Sequence, residues 1–153
     1  MKRFRGQLEH SLDPKGRLNI PARFQEVIRE EYATETLIVT HWMKCLKVFP
    51  MPVWEETEEK LVGRLEDGNL DPKFGRLIRY LMAGVNECQL DKQGRILLPP
   101  SLRGEMGIAK DVMLNGMLKS FEIWDKAAWQ EEAQMAQESF EEFNAGLASL
   151  GMI

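Results

Sequence analysis

The chain has 153 residues, a formal charge of −4 and a pI near 5.3, with 44% hydrophobic and 29% charged residues. Such proportions suit one compact domain or two small units sharing a core, and they exclude wholesale disorder and a uniformly basic nucleic-acid coat, though not a local basic patch. No apolar run nears the length of a membrane span, and Met1-Lys2-Arg3-Phe4-Arg5-Gly6 lacks the apolar stretch of a secretory signal.

The first punctuation is Asp13-Pro14-Lys15-Gly16. Asp bonds its own backbone, Pro presets φ, and Gly follows where φ is often positive, which predicts a type I turn closing a hairpin. Beyond it the chain alternates: Leu18 and Ile20 point one way, Arg17 and Asn19 the other. Pro21 suits a first helical turn, followed by Phe24, Val27 and Ile28 at helical spacing. Thr36–Thr40 and Cys45–Phe49 read as strands. Pro52 opens a helix over Val53–Leu65, and Asp71-Pro72 caps a second whose stripe is Phe74, Leu77, Ile78, Leu81, Met82 and Val85. Asp91-Lys92-Gln93-Gly94 repeats the turn chemistry, after which Ile96 and Leu98 oppose Arg95 and Leu97. Val112–Leu114 and Ser120–Trp124 are again strands. Asp125 then caps a tail helix with Trp129, Ala133, Ala136, Phe140, Phe143, Leu147 and Leu150 on one narrow stripe, expected to pack on the same chain.

These elements repeat. Leu12-Asp13-Pro14-Lys15-Gly16-Arg17-Leu18-Asn19-Ile20-Pro21 recurs as Leu90-Asp91-Lys92-Gln93-Gly94-Arg95-Ile96-Leu97-Leu98-Pro99, at a constant offset of 78. The match continues at an offset of 75, aligning Leu37–Val39 with Val112–Leu114, Leu46–Phe49 with Phe121–Trp124, and Trp54 with Trp129. A tandem duplication of a unit near 45 residues accounts for this. One such unit cannot bury enough apolar surface alone, so the two are expected to share one barrel or sandwich about a pseudo-two-fold axis. Charge is partitioned as well. Residues 1–29 and 76–110 are net positive, whereas 30–75 and 120–153 are net negative.

Catalytic chemistry finds no footing. There is no GxGxxG, P-loop, HExxH or GxSxG, and the two histidines, His10 and His41, have no partner at metal-ligand spacing. Cys45 and Cys88 form no CxxC pair and are expected to be free thiols in a reducing compartment. The chain is therefore expected not to be an enzyme and to need no metal or cofactor. The repeated arginine is different. Asp and Gly have a local role in the turn, but the Arg has none in this reading. It projects opposite the apolar face, and pseudo-symmetry sets Arg17 and Arg95 on one surface with Lys15 at a turn tip. Guanidinium forks there suit phosphate oxygens or guanine O6 and N7.

Phe4-Arg5-Gly6 and the segments 12–21 and 87–99 together resemble the MraZ family of bacterial transcriptional regulators over nearly the whole chain, with the likeness weakening in the tail. The resemblance implies an α+β fold of two tandem SpoVT/AbrB-like units forming a swapped-hairpin barrel. The expected boundaries are 7–54 for unit 1, 55–84 for a helical connector, 85–129 for unit 2 and 130–153 for the tail. It further implies homo-oligomeric rings, a cytoplasmic, nucleoid-associated location, and binding to short direct repeats in double-stranded DNA upstream of the operon for cell division and cell-wall synthesis. The family's Asp-x-x-x-Arg motif maps onto Asp13–Arg17 and Asp91–Arg95. The candidate DNA-binding residues are Lys15, Arg17, Arg95 and Arg5, with Asp13, Gly16, Asp91 and Gly94 forming the turns. Gln93 stands where the first copy has Lys15, so the two copies are not expected to contribute equally. No membrane or small-molecule substrate is expected. The competing reading is a ring-forming adaptor that uses its apolar tail and has no DNA-binding role.

Overall fold

The computed structural model describes residues 1–68 and 71–153. Each repeat folds as strand, turn, short strand, short helix and two longer strands. In the first copy these are β1 (Gln7–Ser11), β2 (Arg17–Asn19), α1 (Ala22–Glu26, continued by a π-helical turn over Val27–Glu31), β3 (Thr36–Trp42) and β4 (Cys45–Pro50). Two helices follow, α2 (Met51–Glu66) and α3 (Pro72–Ala83). The second copy supplies β5 (Asn86–Gln89), β6 (Arg95–Leu97), α4 (Pro100–Glu105), β7 (Asp111–Gly116) and β8 (Phe121–Asp125), and α5 (Lys126–Glu138) and α6 (Phe140–Ser149) close the chain. Prolines open α2 and α3 as expected, and the Asp71 and Asp125 carboxylates accept from Lys73 N and Ala128 N at 2.9 and 3.2 Å.

The two copies exchange strands. Six strands form an antiparallel sheet in the order β1-β7-β8-β4-β3-β5, while β2 and β6 pair only with each other in a two-stranded ribbon. The turn at Asp13 closes a single hairpin-like bond, Asp13 N to Arg17 O at 2.9 Å, and then the strands part. Leu12 N donates to Lys110 O, and β1 runs on beside β7 of the other copy. The expected local hairpin is thus a corner. Equivalent positions meet in both exchanges: Leu8 faces Leu114, and Asn86 faces Val39. The pseudo-two-fold axis runs between Leu18 and Ile96 in the ribbon and between Lys47 and Glu122 in the sheet.

Among the described residues the ladder does not close into a barrel, since β1 and β5 remain unpaired edges of the six-stranded sheet. The ribbon covers the sheet instead of extending it. Only its inner side, Leu18 and Ile96, is apolar and buried, so it lies flat over Leu37, Val39, Leu46, Val48, Val112, Leu114, Phe121 and Ile123. Phe4, Phe24 and Phe121 lock this core with ring centroids 5.1–5.3 Å apart. Burying each ring contributes roughly 1.5–3 kcal/mol. On the opposite sheet face Phe49 and Trp54 pin α2, and their repeat equivalents Trp124 and Trp129 pin α5 at centroid separations of 5.2 and 5.4 Å.

α3 is tied to both copies through polar groups. Thr40 Oγ1 donates to Leu81 O at 2.9 Å, and the buried His41 ring stacks under Tyr80 at 3.9 Å. His41 Nδ1 reaches the Glu105 carboxylate at 3.0 Å, and its Nε2 faces the Tyr80 carbonyl. The predicted stripe of α3 is buried at Ile78 and half-buried at Leu81 and Val85, while Phe74, Leu77 and Met82 are exposed. The tail also departs from expectation. Its helix breaks at Ser139, and beyond the break Phe140, Phe143 and Leu150 are exposed. Of the tail stripe beyond α5 only Leu147 is half-buried, among the described residues. Both cysteines are free and buried, and burial pushes the Cys88 thiol up to about 11. No helix among the described residues is long and apolar enough to cross a membrane.

Candidate nucleic-acid interface

The two turns are built alike. Asp13 Oδ1 accepts from Lys15 N at 2.9 Å and Arg17 N at 2.8 Å, and Gly16 N donates to Asp13 O. Asp91 Oδ1 accepts from Gln93 N at 2.8 Å and Arg95 N at 2.9 Å, and Gly94 N donates to Asp91 O. Gly16 and Gly94 have φ of +82° and +76°, where a Cβ is strained. The arginines do have a local role, contrary to the expectation from sequence. Arg17 Nε donates to Asp13 Oδ2 at 2.6 Å, and Arg95 Nε to Asp91 Oδ2 at 3.0 Å. Backbone N–H groups, from Arg17 and Arg95 first, together with these guanidinium groups hold both carboxyls below their usual range.

Anchoring through Nε fixes each guanidinium but leaves its terminal nitrogens without a protein partner among the described residues. The ribbon then sets where they point. Arg17 lies opposite Leu97, Asn19 opposite Arg95, and the inward pair Leu18–Ile96 sits between. Arg17, Asn19, Arg95 and Leu97 therefore share the outer face, as the alternation predicts. The two arginines are diagonal neighbours on it, about 7–8 Å apart between Cα atoms for such a pair. Their side chains are 33% and 25% exposed.

Lys15 is exposed at the tip of the first turn. Gln93 lacks its charge, but the exposed Lys92 one residue earlier supplies a cation to the second tip. Arg5 is not part of this face. Extended backbone from the Phe4–Leu118 bridge to the Leu12–Lys110 bond puts it at the far end of β1, roughly 25 Å from the turn at the usual rise per residue.

Two residues at the turns escape a reading of the sequence. A Cβ on Gly16 would lie 2.7 Å from the Arg103 guanidinium, and one on Gly94 would overlap the Gln25 amide. Arg103 Nε donates to Leu98 O at 3.2 Å, and Gln25 Nε2 to Ile20 O at 2.7 Å. Each copy's short helix thus lays a side chain over the other copy's turn glycine. The offset of 78 relates Gln25 to Arg103 and Ile20 to Leu98, which is the signal that could have found them. Among the described residues there is no cluster of three or more His, Cys, Asp or Glu side chains able to hold a metal ion.

Comparison with known proteins bears on this geometry. The family model described as "MraZ protein, putative antitoxin-like" matches residues 3–67 and 81–148. A protein of Syntrophobacter fumaroxidans named "Transcriptional regulator MraZ" is 39% identical over 149 residues, covering 97% of each chain. Relatives of the same name from Leuconostoc citreum and Shewanella violacea are 41% and 39% identical, covering 94% and 92% of this chain and 96% and 92% of their own.

Proposed function

The chain belongs to the MraZ family, and from that membership we propose that it is a transcriptional regulator that binds double-stranded DNA through the outer face of the β2–β6 ribbon. The observation that carries this reading is the ribbon register, which gives Arg17 and Arg95 one exposed face about a local two-fold axis. Terminal guanidinium nitrogens held ready by Asp13 and Asp91 suit phosphate oxygens or the O6/N7 edge of guanine. A two-stranded ribbon fits a major groove about 12 Å wide. Lys15, Lys92 and Arg103 add positive charge around the pair. The acidic helix α5 packs on the opposite sheet face through Trp124 and Trp129, so a chain of net negative charge can still present a cationic side to a polyanion.

In this reading residues 7–54 and 85–129 are the two DNA-facing units, 55–84 the connector and 130–153 the tail. The target is short direct repeats upstream of the operon for cell division and cell-wall synthesis, and the protein works in the cytoplasm on the nucleoid. Copies assemble into a ring, so weak contacts at successive repeats add through effective concentration. The exposed Phe74, Leu77, Phe140, Phe143 and Leu150 favour assembly. They also favour the second reading, an adaptor without DNA binding, which predicts no salt-sensitive association with duplex DNA.

Arg17→Ala tests the proposal by gel shift on repeat-containing duplex beside size-exclusion chromatography. Loss of specific binding with unchanged assembly is expected. Unchanged affinity refutes the role of the ribbon face.

A further inference from the structure

The two ends of the ribbon's outer face differ in chemistry, and on the DNA-binding reading, upon which this inference rests, that difference sets the direction in which the ribbon reads its site. The local axis between Leu18 and Ile96 relates Arg17 to Arg95 and, by the same offset, Asn19 to Leu97. The arginines keep that symmetry. The second pair breaks it, with an amide at one position and an aliphatic group at the other. Both are exposed on the outer face, and Leu97 is 55% exposed.

The flanks break the symmetry too. Next to Arg17 and Leu97, the Arg103 guanidinium lies over Gly16 with no carboxylate partner among the described residues. Next to Arg95 and Asn19, the equivalent group over Gly94 is the Gln25 amide, whose Oε1 accepts from Arg29 Nη1 at 2.9 Å, and Arg29 is itself paired with Glu35. One end of the ribbon therefore sets Leu97 and the Arg103 guanidinium beside Arg17, and the other sets the Asn19 and Gln25 amides beside Arg95.

We propose that Asn19 and Leu97 are specificity-determining residues that give the ribbon a reading polarity. An Asn amide matches the paired donor and acceptor of adenine N6 and N7, whereas an aliphatic side chain matches the thymine methyl. Arginine pairs alone would read the two halves of an element as a palindrome. With Asn on one side of the axis and Leu on the other, the element is non-palindromic. Copies related by rotation within one ring then meet successive elements in the same sense, which is the arrangement of direct repeats.

The experiment is selection of bound sequences from random duplex DNA by the full chain, by Asn19→Leu and by Leu97→Asn, each first checked for folding by thermal unfolding and for assembly by sizing. The wild type is expected to select a non-palindromic element. Asn19→Leu should select an element made symmetric by a second thymine preference in place of its adenine, and Leu97→Asn one made symmetric by a second adenine preference. Replacing the adenine assigned to Asn19 by guanine should weaken the wild type about tenfold and leave Asn19→Leu unaffected. A merely structural role for either residue would not move base identity. If the wild type selects an element and both variants select the same one, the polarity proposal alone is overturned. If the wild type selects no element, the DNA-binding reading falls and takes this proposal with it.

Discussion

Replacing Asp13 by Asn sets two electrostatic consequences against each other. Asn retains Oδ1, and with it the bonds from Lys15 N and Arg17 N that shape the turn. At the Oδ2 position it presents an amide donor to the Arg17 Nε donor, so the 2.6 Å bond that aims the guanidinium is lost. Removing a carboxylate beside a polyanion strengthens binding by roughly 0.6 kcal/mol at about 7 Å in water, and by less once salt screens it. A freed arginine must be immobilised again on binding, at a cost of about 0.5–1.5 kcal/mol. Aim outweighs charge, and Asp13→Asn is expected to bind about two- to fivefold more weakly at one contact. Contacts on successive repeats multiply, so the loss should grow to roughly ten- to a hundredfold on DNA with three repeats. Fluorescence anisotropy with one-repeat and three-repeat duplexes measures both, and thermal unfolding verifies that the turn survives. Asp91→Asn should have a smaller effect, because its Arg95 bond is longer at 3.0 Å. Binding by Asp13→Asn as tight as, or tighter than, that of the wild type would refute the idea that the aspartates aim the arginines.

Much of this face was legible in the sequence because it depends on local rules. Alternation alone puts Arg17 and Asn19 opposite Leu18, and the repeat offset transfers the arrangement to Arg95 and Leu97. The strand exchange was not legible. Asp-Pro-Lys-Gly closes a hairpin or a corner with the same bonds, and the choice is made by the distant partner Lys110, which takes Leu12 out of the hairpin. The local role of Arg17 was open to the reading, since Asp13 lies four residues before it, but turn chemistry alone concerns backbone groups and hides a side-chain bond. The tail shows the limit of periodicity. Spacing identifies an apolar stripe over 129–150 but says nothing of its partner, and the break at Ser139 separates Trp129, seated on Trp124, from the exposed Phe140 and Phe143.

Two predictions concern how the turns hold together. Asp13 and Asp91 have depressed carboxyl pKa values in the fold, so the stability they contribute is complete above the ordinary value near 4 and is lost as pH falls through the depressed ones. The thermal midpoint of the wild type should therefore fall more between about pH 5 and pH 3 than that of an Asp13→Asn/Asp91→Asn variant, and parallel profiles would count against the turns as the acid-labile element. Gly94→Ala tests the interlock between copies. At φ +76° an alanine costs about 1–2 kcal/mol. Its Cβ also displaces the Gln25 amide, forfeiting the 2.7 Å bond to Ile20 O, worth about 0.5–1.5 kcal/mol. Gln25→Ala forfeits the same bond by itself, so in urea unfolding the double variant should be no less stable than Gly94→Ala, leaving a coupling of about 1 kcal/mol. Strict additivity would mean that helix α1 of one copy does not brace the turn of the other, and that each arginine is positioned by its own turn alone.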